Sequence, residues 1–135
     1  MNIKLAVVED NNTMRNMLVS YLSRYYEVAD FKNGLEFFES LEQSLLPSLI
    51  VSDIQMPEMG GLELITLLKK SKIYSQVPVI ILSGVNNSEA HAQCLEAGAE
   101  DYLVKPFNPK ELLLKIQKIL QNTSTNETLK NTSLS

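Results

Sequence analysis

The sequence predicts an open, doubly wound α/β sheet, with parallel strands at its centre and helices on both faces. Two observations carry that expectation. Five short apolar runs recur at nearly even spacing: Ile3–Val8, Tyr26–Phe31, Leu49–Ser52, Val77–Leu82 and Tyr102–Val104. The segments between them repeat apolar residues every three or four positions, the period of a helix with one buried face. Strand–helix units alternating through residues 1–121, joined by right-handed crossovers, build such a sheet.

Each element has its own local reason. The first, third and fourth runs read KLAVV, SLIV (from Ser48) and PVIIL, almost continuously aliphatic, as strands covered on both faces require. The first helix follows from the stripe Met14, Met17, Leu18, Tyr21, Leu22 and Tyr25, with Asn11 or Asn12 as its N-cap. A second helix, entered through Asn33–Gly34, is expected to bury Leu35, Phe38, Leu41 and Leu45. Leu62, Ile65 and Leu68 mark the third. The fourth, from Ser88 to Ala97, offers only Ala90, Cys94 and Ala97, with Gly98 to end it. So little apolar surface means weak local stability, which suits either a mobile element or a merely peripheral one. Leu112, Leu113, Ile116, Ile119 and Leu120 define the fifth, and leave Leu114 about 160° away from their face at ~100° per residue. From residue 122 to 135, ten of fourteen residues are Asn, Ser or Thr, so a solvated disordered tail or truncated linker is expected.

Composition narrows the function classes. A chain of 135 residues has room for one domain of ordinary size. Twelve basic against sixteen acidic side chains give a net charge of −4, which argues against nucleic acid or an anionic membrane as a direct partner. The single cysteine, Cys94, excludes an internal disulfide and reads as a small packing residue. His91, the single histidine, reads as a surface residue of the fourth helix. No apolar run reaches the ~18 residues of a membrane span, so a cytoplasmic protein is expected.

Open α/β sheets place their sites at the carboxyl ends of the strands. Those ends carry Glu9 and Asp10 after the first run, Asp53 after the third, Ser83 after the fourth and Lys105 after the fifth. Taken singly, each has an ordinary reading: Asp53 as a cap or turn residue, Glu9 and Asp10 as acids near a helix N-terminus, Ser83 and Lys105 as solvated loop residues. Their convergence on one edge favours a shared site. Three carboxylates and one lysine leave an excess of negative charge that a cation must offset. Hard oxygen donors favour Mg2+. A carboxylate beside such a metal, with an ammonium and a hydroxyl in reach, fits a nucleophile that takes a phosphoryl group.

Four motifs make the pattern more specific: VVEDN at 7–11, SDIQMPEMGG at 52–61, PVIILSG at 78–84 and GAEDYLVKPF at 98–107. Over residues 1–121 the chain resembles the receiver domain of two-component response regulators. The resemblance implies a flavodoxin-like fold with strand order 2-1-3-4-5. It makes Asp53 the phosphoacceptor, with Asp10, Asp53 and the backbone carbonyl of Gln55 on Mg2+ and Glu9 contacting the ion through water. Ser83 would bond one phosphoryl oxygen and Lys105 pair with another, while Tyr102 changes rotamer. The Lys105–Pro106 bond would be cis. A histidine kinase or phosphotransfer protein would be the donor, and the face of helix four, strand five and helix five, including Leu114, would pair with a second copy or an effector. Such a protein catalyses its own phosphorylation and dephosphorylation and is not an enzyme for an external substrate. Gln55 and Val85 would line the path of the hydrolytic water, and apolar Val85 implies a phosphorylated state lasting minutes or longer.

Serine at position 83, where threonine is commoner, departs from the family pattern but keeps the hydroxyl. Three other readings stay open. A degenerate receiver would act as a phosphorylation-independent docking module. An aspartyl-nucleophile phosphatase would need a second Asp where Gln55 stands, and a nucleotide- or flavin-binding module would need a glycine-rich first loop instead of EDNNT.

Overall fold

A computed structural model describes the backbone of residues 3–41, 46–84 and 88–134, and side chains as far as residue 122. The chain runs β1 (Lys4–Val8), α1 (Asn12–Leu22), β2 (Glu27–Phe31), α2 (Gly34–Ser40), β3 (Leu49–Asp53), α3 (Gly61–Lys70), β4 (Val79–Ser83), α4 (Ser88–Ala97), β5 (Asp101–Val104) and α5 (Pro109–Leu134). The strands form one parallel sheet in the order β2-β1-β3-β4-β5, the doubly wound arrangement expected.

Alternation along the strands divides the core. Ala6, Val8, Ile50 and Ile81 face α2, α3 and α4, against Phe37, Leu64, Ile65, Leu68 and Cys94. Leu5, Val7, Val51, Ile80 and Leu82 face α1 and α5, against Leu18, Leu22, Leu112, Leu113 and Ile116. Each of these side chains is almost wholly removed from water, which is worth roughly 1.5–3 kcal/mol for each of the larger aliphatic and aromatic ones before the ordering entropy that opposes it. The central strands β3 and β4 are buried along their whole length, as their unbroken apolar runs require.

Helix starts follow their caps. Asn11 accepts from the Met14 amide at 2.8 Å and Asn33 from the Glu36 amide at 2.8 Å, each satisfying an otherwise orphaned N–H. Lys105–Pro106 is cis, as the resemblance implied.

Two expectations need correction. In α2 the buried side chain is Phe37, with Leu41 buried at the C-cap as expected, while Leu35 is exposed and Phe38 only packs at the margin. Phe37 wins the inward position because its ring meets Phe31 of β2 edge-on at 5.3 Å, a contact the helical stripe did not include. Leu45, expected on that face, lies outside the described residues. At the C-terminus α5 does not stop near residue 121; its backbone continues to Leu134. No glycine or proline interrupts residues 122–134, and extending a formed helix needs no new nucleus, so a polar composition alone does not end it. Among the described residues no helix is long and apolar enough to cross a membrane.

Candidate functional site

Parallel register brings the acids together. Val8 stands opposite Ser52, so Glu9 and Asp53, the next residues along each strand, leave the sheet side by side. Glu9, Asp10 and Asp53 each offer a carboxylate oxygen within 4.8 Å of the others. Glu9 is fully buried, Asp53 nearly so, and Asp10 exposed. Lys105 reaches in from the end of β5, its Nζ donating to Glu9 Oε1 at 2.7 Å and to Asp53 Oδ2 at 3.2 Å.

These groups perturb one another. Burial works against the charge on Lys105, but the Glu9 hydrogen bond and the Asp53 and Glu9 carboxylates outweigh it, so its pKa is raised. The Asp10 carboxyl is also raised: partial desolvation comes first, then the hydrogen bond and like charge of Glu9, while its own backbone amide and Lys105 pull the other way. The site is short of positive charge even with its lysine. Its donors are all hard oxygens, so a divalent ion such as Mg2+ fits the donor set and would relieve the crowding. Gln55, whose carbonyl was expected to join them, follows Asp53 in the β3–α3 loop with an exposed side chain.

The acidic pair is held from behind by residues the sequence reading passed over. Arg15, on α1, is buried; it donates from Nη1 to the Glu9 carbonyl at 2.8 Å, from Nη2 to Asn12 Oδ1 at 2.6 Å and from Nε to Asp30 Oδ2 at 3.1 Å. Its signal was a charged residue three before Leu18 and seven before Leu22, on the buried face of the stripe. The Asn11 amide donates to Glu9 Oε2 at 3.1 Å. Gly61 opens α3 directly against the phosphoacceptor candidate: a Cβ there would lie 2.6 Å from the Asp53 carbonyl oxygen.

The other end of the edge is built differently. Ser83 ends β4, fully buried, and donates to the Gly84 carbonyl at 3.0 Å. Its Oγ also lies 2.5 Å from His91 Nε2. Among the described residues neither contact reaches Asp53 or Lys105. His91 is therefore not a surface residue: it is 7% exposed, and its ring stacks on Tyr102 of β5 at 4.1 Å and 20° between planes. The error has a clear cause. α4 has so few apolar residues that its buried face is completed by a histidine three residues before Cys94, and imidazole can pair with a buried hydroxyl where an alanine could not. Cys94 is fully buried, with its thiol pKa raised by desolvation, consistent with a packing role. Leu114 is 54% exposed on α5, as expected. Val85 lies outside the described residues.

Comparison with known proteins matches this arrangement. A family model, the response regulator receiver domain, matches residues 5–117. The chain is 38% identical over 118 residues to histidine kinase P4 of Formosa agariphila, spanning 87% of this chain but 8% of that much longer protein. It is 32% identical over 120 residues to chemotaxis protein CheY1 of Helicobacter pylori strain 26695, spanning 87% of this chain and 97% of the relative. The solved receiver domain of the Francisella response regulator 1452 overlays at a TM-score of 0.82 with 28% identity, covering 90% of this chain and 99% of that one.

Proposed function

Because the chain belongs to the response regulator receiver domain family, we propose that it is a phosphorylation-activated switch in which Asp53 accepts a phosphoryl group from the phosphohistidine of a histidine kinase or phosphotransfer protein. The observation that carries this reading is the Lys105 ammonium standing between Glu9 and Asp53 inside a cluster of three carboxylates. An Asp53 carboxylate oxygen attacks phosphorus, the P–N bond of the donor breaks, and the donor imidazole leaves with the bonding pair and takes up a proton. An acyl phosphate remains on Asp53. Lys105, 3.2 Å from Asp53 Oδ2, is placed to follow the transferred oxygens as a flexible point charge. Mg2+, held by Asp10, Asp53 and the Gln55 carbonyl with Glu9 behind them, would supply further positive charge to those oxygens.

The chain acts on itself only, with no turnover of an external substrate. Output runs through the face formed by α4, β5 and α5, where Leu114 is exposed; its partner is a second copy or an effector. Intact-mass measurement after treatment with acetyl phosphate tests the central claim. One phosphoryl group should be gained in the presence of Mg2+, and none without Mg2+ or in Asp53→Asn. A gain that persists in Asp53→Asn removes the phosphoacceptor assignment. For the output face, phosphorylated protein should associate in sedimentation and Leu114→Glu should not; equal association of the two would exclude that face.

A further inference from the structure

If Ser83 is to bond a phosphoryl oxygen and Tyr102 to change rotamer, as the resemblance implies, both must leave their present partner, and one ring holds both. Ser83 has a single hydroxyl proton, directed either to the Gly84 carbonyl or to His91 Nε2. In the first case His91 donates into Oγ, and in the second it accepts. Either way the proton is committed within the β4–α4 corner and is not offered toward Asp53. The same imidazole lies flat on Tyr102, 4.1 Å between centroids. Its burial matters as much as its contacts: at 7% exposure, the ring nitrogen that Ser83 abandons would not simply be rehydrated in place. His91 and Cys94 are the buried residues of α4, so displacing this ring displaces a large part of what docks the helix.

We propose that His91 is a positioning residue that holds the resting state, competing with the phosphoryl group for the Ser83 hydroxyl and keeping Tyr102 stacked until that competition is lost. The inference rests on the switch reading above and adds its regulation. Capture of Ser83 by a phosphoryl oxygen leaves His91 Nε2 without its partner, the imidazole loses its reason to sit under Tyr102, and α4 loosens with it. His91 touches neither the transferred group nor the acids; it acts through Ser83.

Beryllofluoride with Mg2+, a stable mimic of the phosphoryl group, gives the test, with the full chain used throughout. His91→Phe keeps a flat ring for Tyr102 but has no nitrogen for Ser83, so it should bind beryllofluoride roughly twofold to tenfold more tightly than wild type, the range of one net hydrogen bond. His91→Gln, whose amide can reach the same hydroxyl, should return toward wild type. In a Ser83→Ala background the His91→Phe gain should vanish, since the two act as one unit. Circular dichroism checks that each variant is folded, and one measurement needs no variant at all. His91 is the only histidine in the chain, so its ring 15N signals are unambiguous and should move when beryllofluoride binds. Signals that stay fixed on binding, or a His91→Phe gain that survives in Ser83→Ala, would overturn the role given to His91 while leaving the switch intact. A wild-type protein that binds no beryllofluoride, with no mass gain from acetyl phosphate, would instead overturn the switch reading itself.

Discussion

The acidic pair Glu9 and Asp53 and the hydroxyl of Ser83 stand at strand ends on the same edge of the sheet, yet they are held in opposite ways. The pair takes restraints from several elements: Lys105 from the end of β5 bonds both carboxylates, the Asn11 amide bonds Glu9 Oε2, Arg15 on α1 bonds the Glu9 carbonyl, and Gly61 at the start of α3 lies against the Asp53 carbonyl. Around the Ser83 hydroxyl, among the described residues, there is one side-chain partner, a ring on the helix with the least to bury, beside the adjacent Gly84 carbonyl. A group that must receive charge in a fixed geometry gains from redundant support, because losing any one bond leaves the others in place. A group that must switch needs the reverse, a single partner whose loss is felt at once. The edge is thus a fixed half and a movable half, joined at Lys105, whose Nζ bonds both acids and whose backbone amide donates to the Ser83 carbonyl at 2.7 Å.

The strongest way to break this comparison is to remove the joint. Lys105→Ala leaves Glu9 fully buried without its cation, and leaving a buried charge unpaired is costly. Unfolding in urea without Mg2+ should show a loss of about 2–4 kcal/mol at neutral pH, placed below the usual range for buried pairs because the lysine is partly solvated. The pH dependence has a definite sign. Lys105 has its folded pKa raised above the ordinary 10.5, so its contribution is complete below that value and is lost only as pH climbs through the raised one. The gap between wild type and variant should be flat through neutral pH and narrow in strongly alkaline buffer. The variant should still be phosphorylated, with Ser83 and Tyr102 showing no wild-type shift by NMR. An equally stable variant, or one whose Tyr102 responds normally, means the two halves are not joined here.

A milder change sharpens the fixed half. Arg15→Met keeps the apolar stem but removes donors to the Glu9 carbonyl, Asn12 and Asp30. Asp30 is 44% exposed, so that part of the network is worth little; the lost bond to the Glu9 carbonyl carries most of an expected cost of about 1–3 kcal/mol. Mg2+ affinity, read by titration calorimetry, should fall as well, because the backbone that aims Glu9 and Asp10 is no longer held. Unchanged stability and affinity together would mean that the acids are positioned without help from α1.

The same division explains what could be read from the sequence. Glu9, Asp10, Asp53 and Lys105 were legible because strand ends are, and strand ends follow from unbroken apolar runs such as LAVV and VIIL. Their company in space follows from parallel register, which adds no side-chain information of its own. Arg15 and His91 were not legible, for a shared physical reason. Each is a polar residue on a buried face, and a periodicity count treats such a residue as noise when only a specific partner, Glu9's carbonyl or Ser83's hydroxyl, makes its burial tolerable. Phe37 was missed because its partner Phe31 lies on another element. The continuation of α5 to Leu134 was missed because composition reports what a segment can bury, whereas a helix already under way needs only the absence of a stop.

The smallest expected effect tests whether the fixed half is strained by its own charge. Asp10 has its folded pKa raised above the ordinary 3.8, by partial desolvation and then by Glu9. A carboxyl shifted in this direction binds its proton more tightly in the folded chain than in the unfolded one. Its favourable contribution is therefore present below the ordinary value and is lost as pH rises through the raised one. At neutral pH the ionised Asp10 disfavours the folded state, which inverts the usual behaviour of a paired carboxylate. Asp10→Asn should accordingly raise the thermal midpoint in metal-free buffer at neutral pH, and the advantage should disappear in acid, where Asp10 is protonated in both states. The gain is small because Asp10 is exposed and water screens much of the repulsion. Adding Mg2+ should reverse the ranking at neutral pH, since the ion stabilises the three-carboxylate site by mass action and the amide weakens its grip. Differential scanning calorimetry of both proteins, with and without Mg2+, at neutral and acid pH, separates the contributions. If Asp10→Asn is less stable than wild type in metal-free neutral buffer, the acids are not in conflict and the case for a cation at this edge loses its electrostatic half.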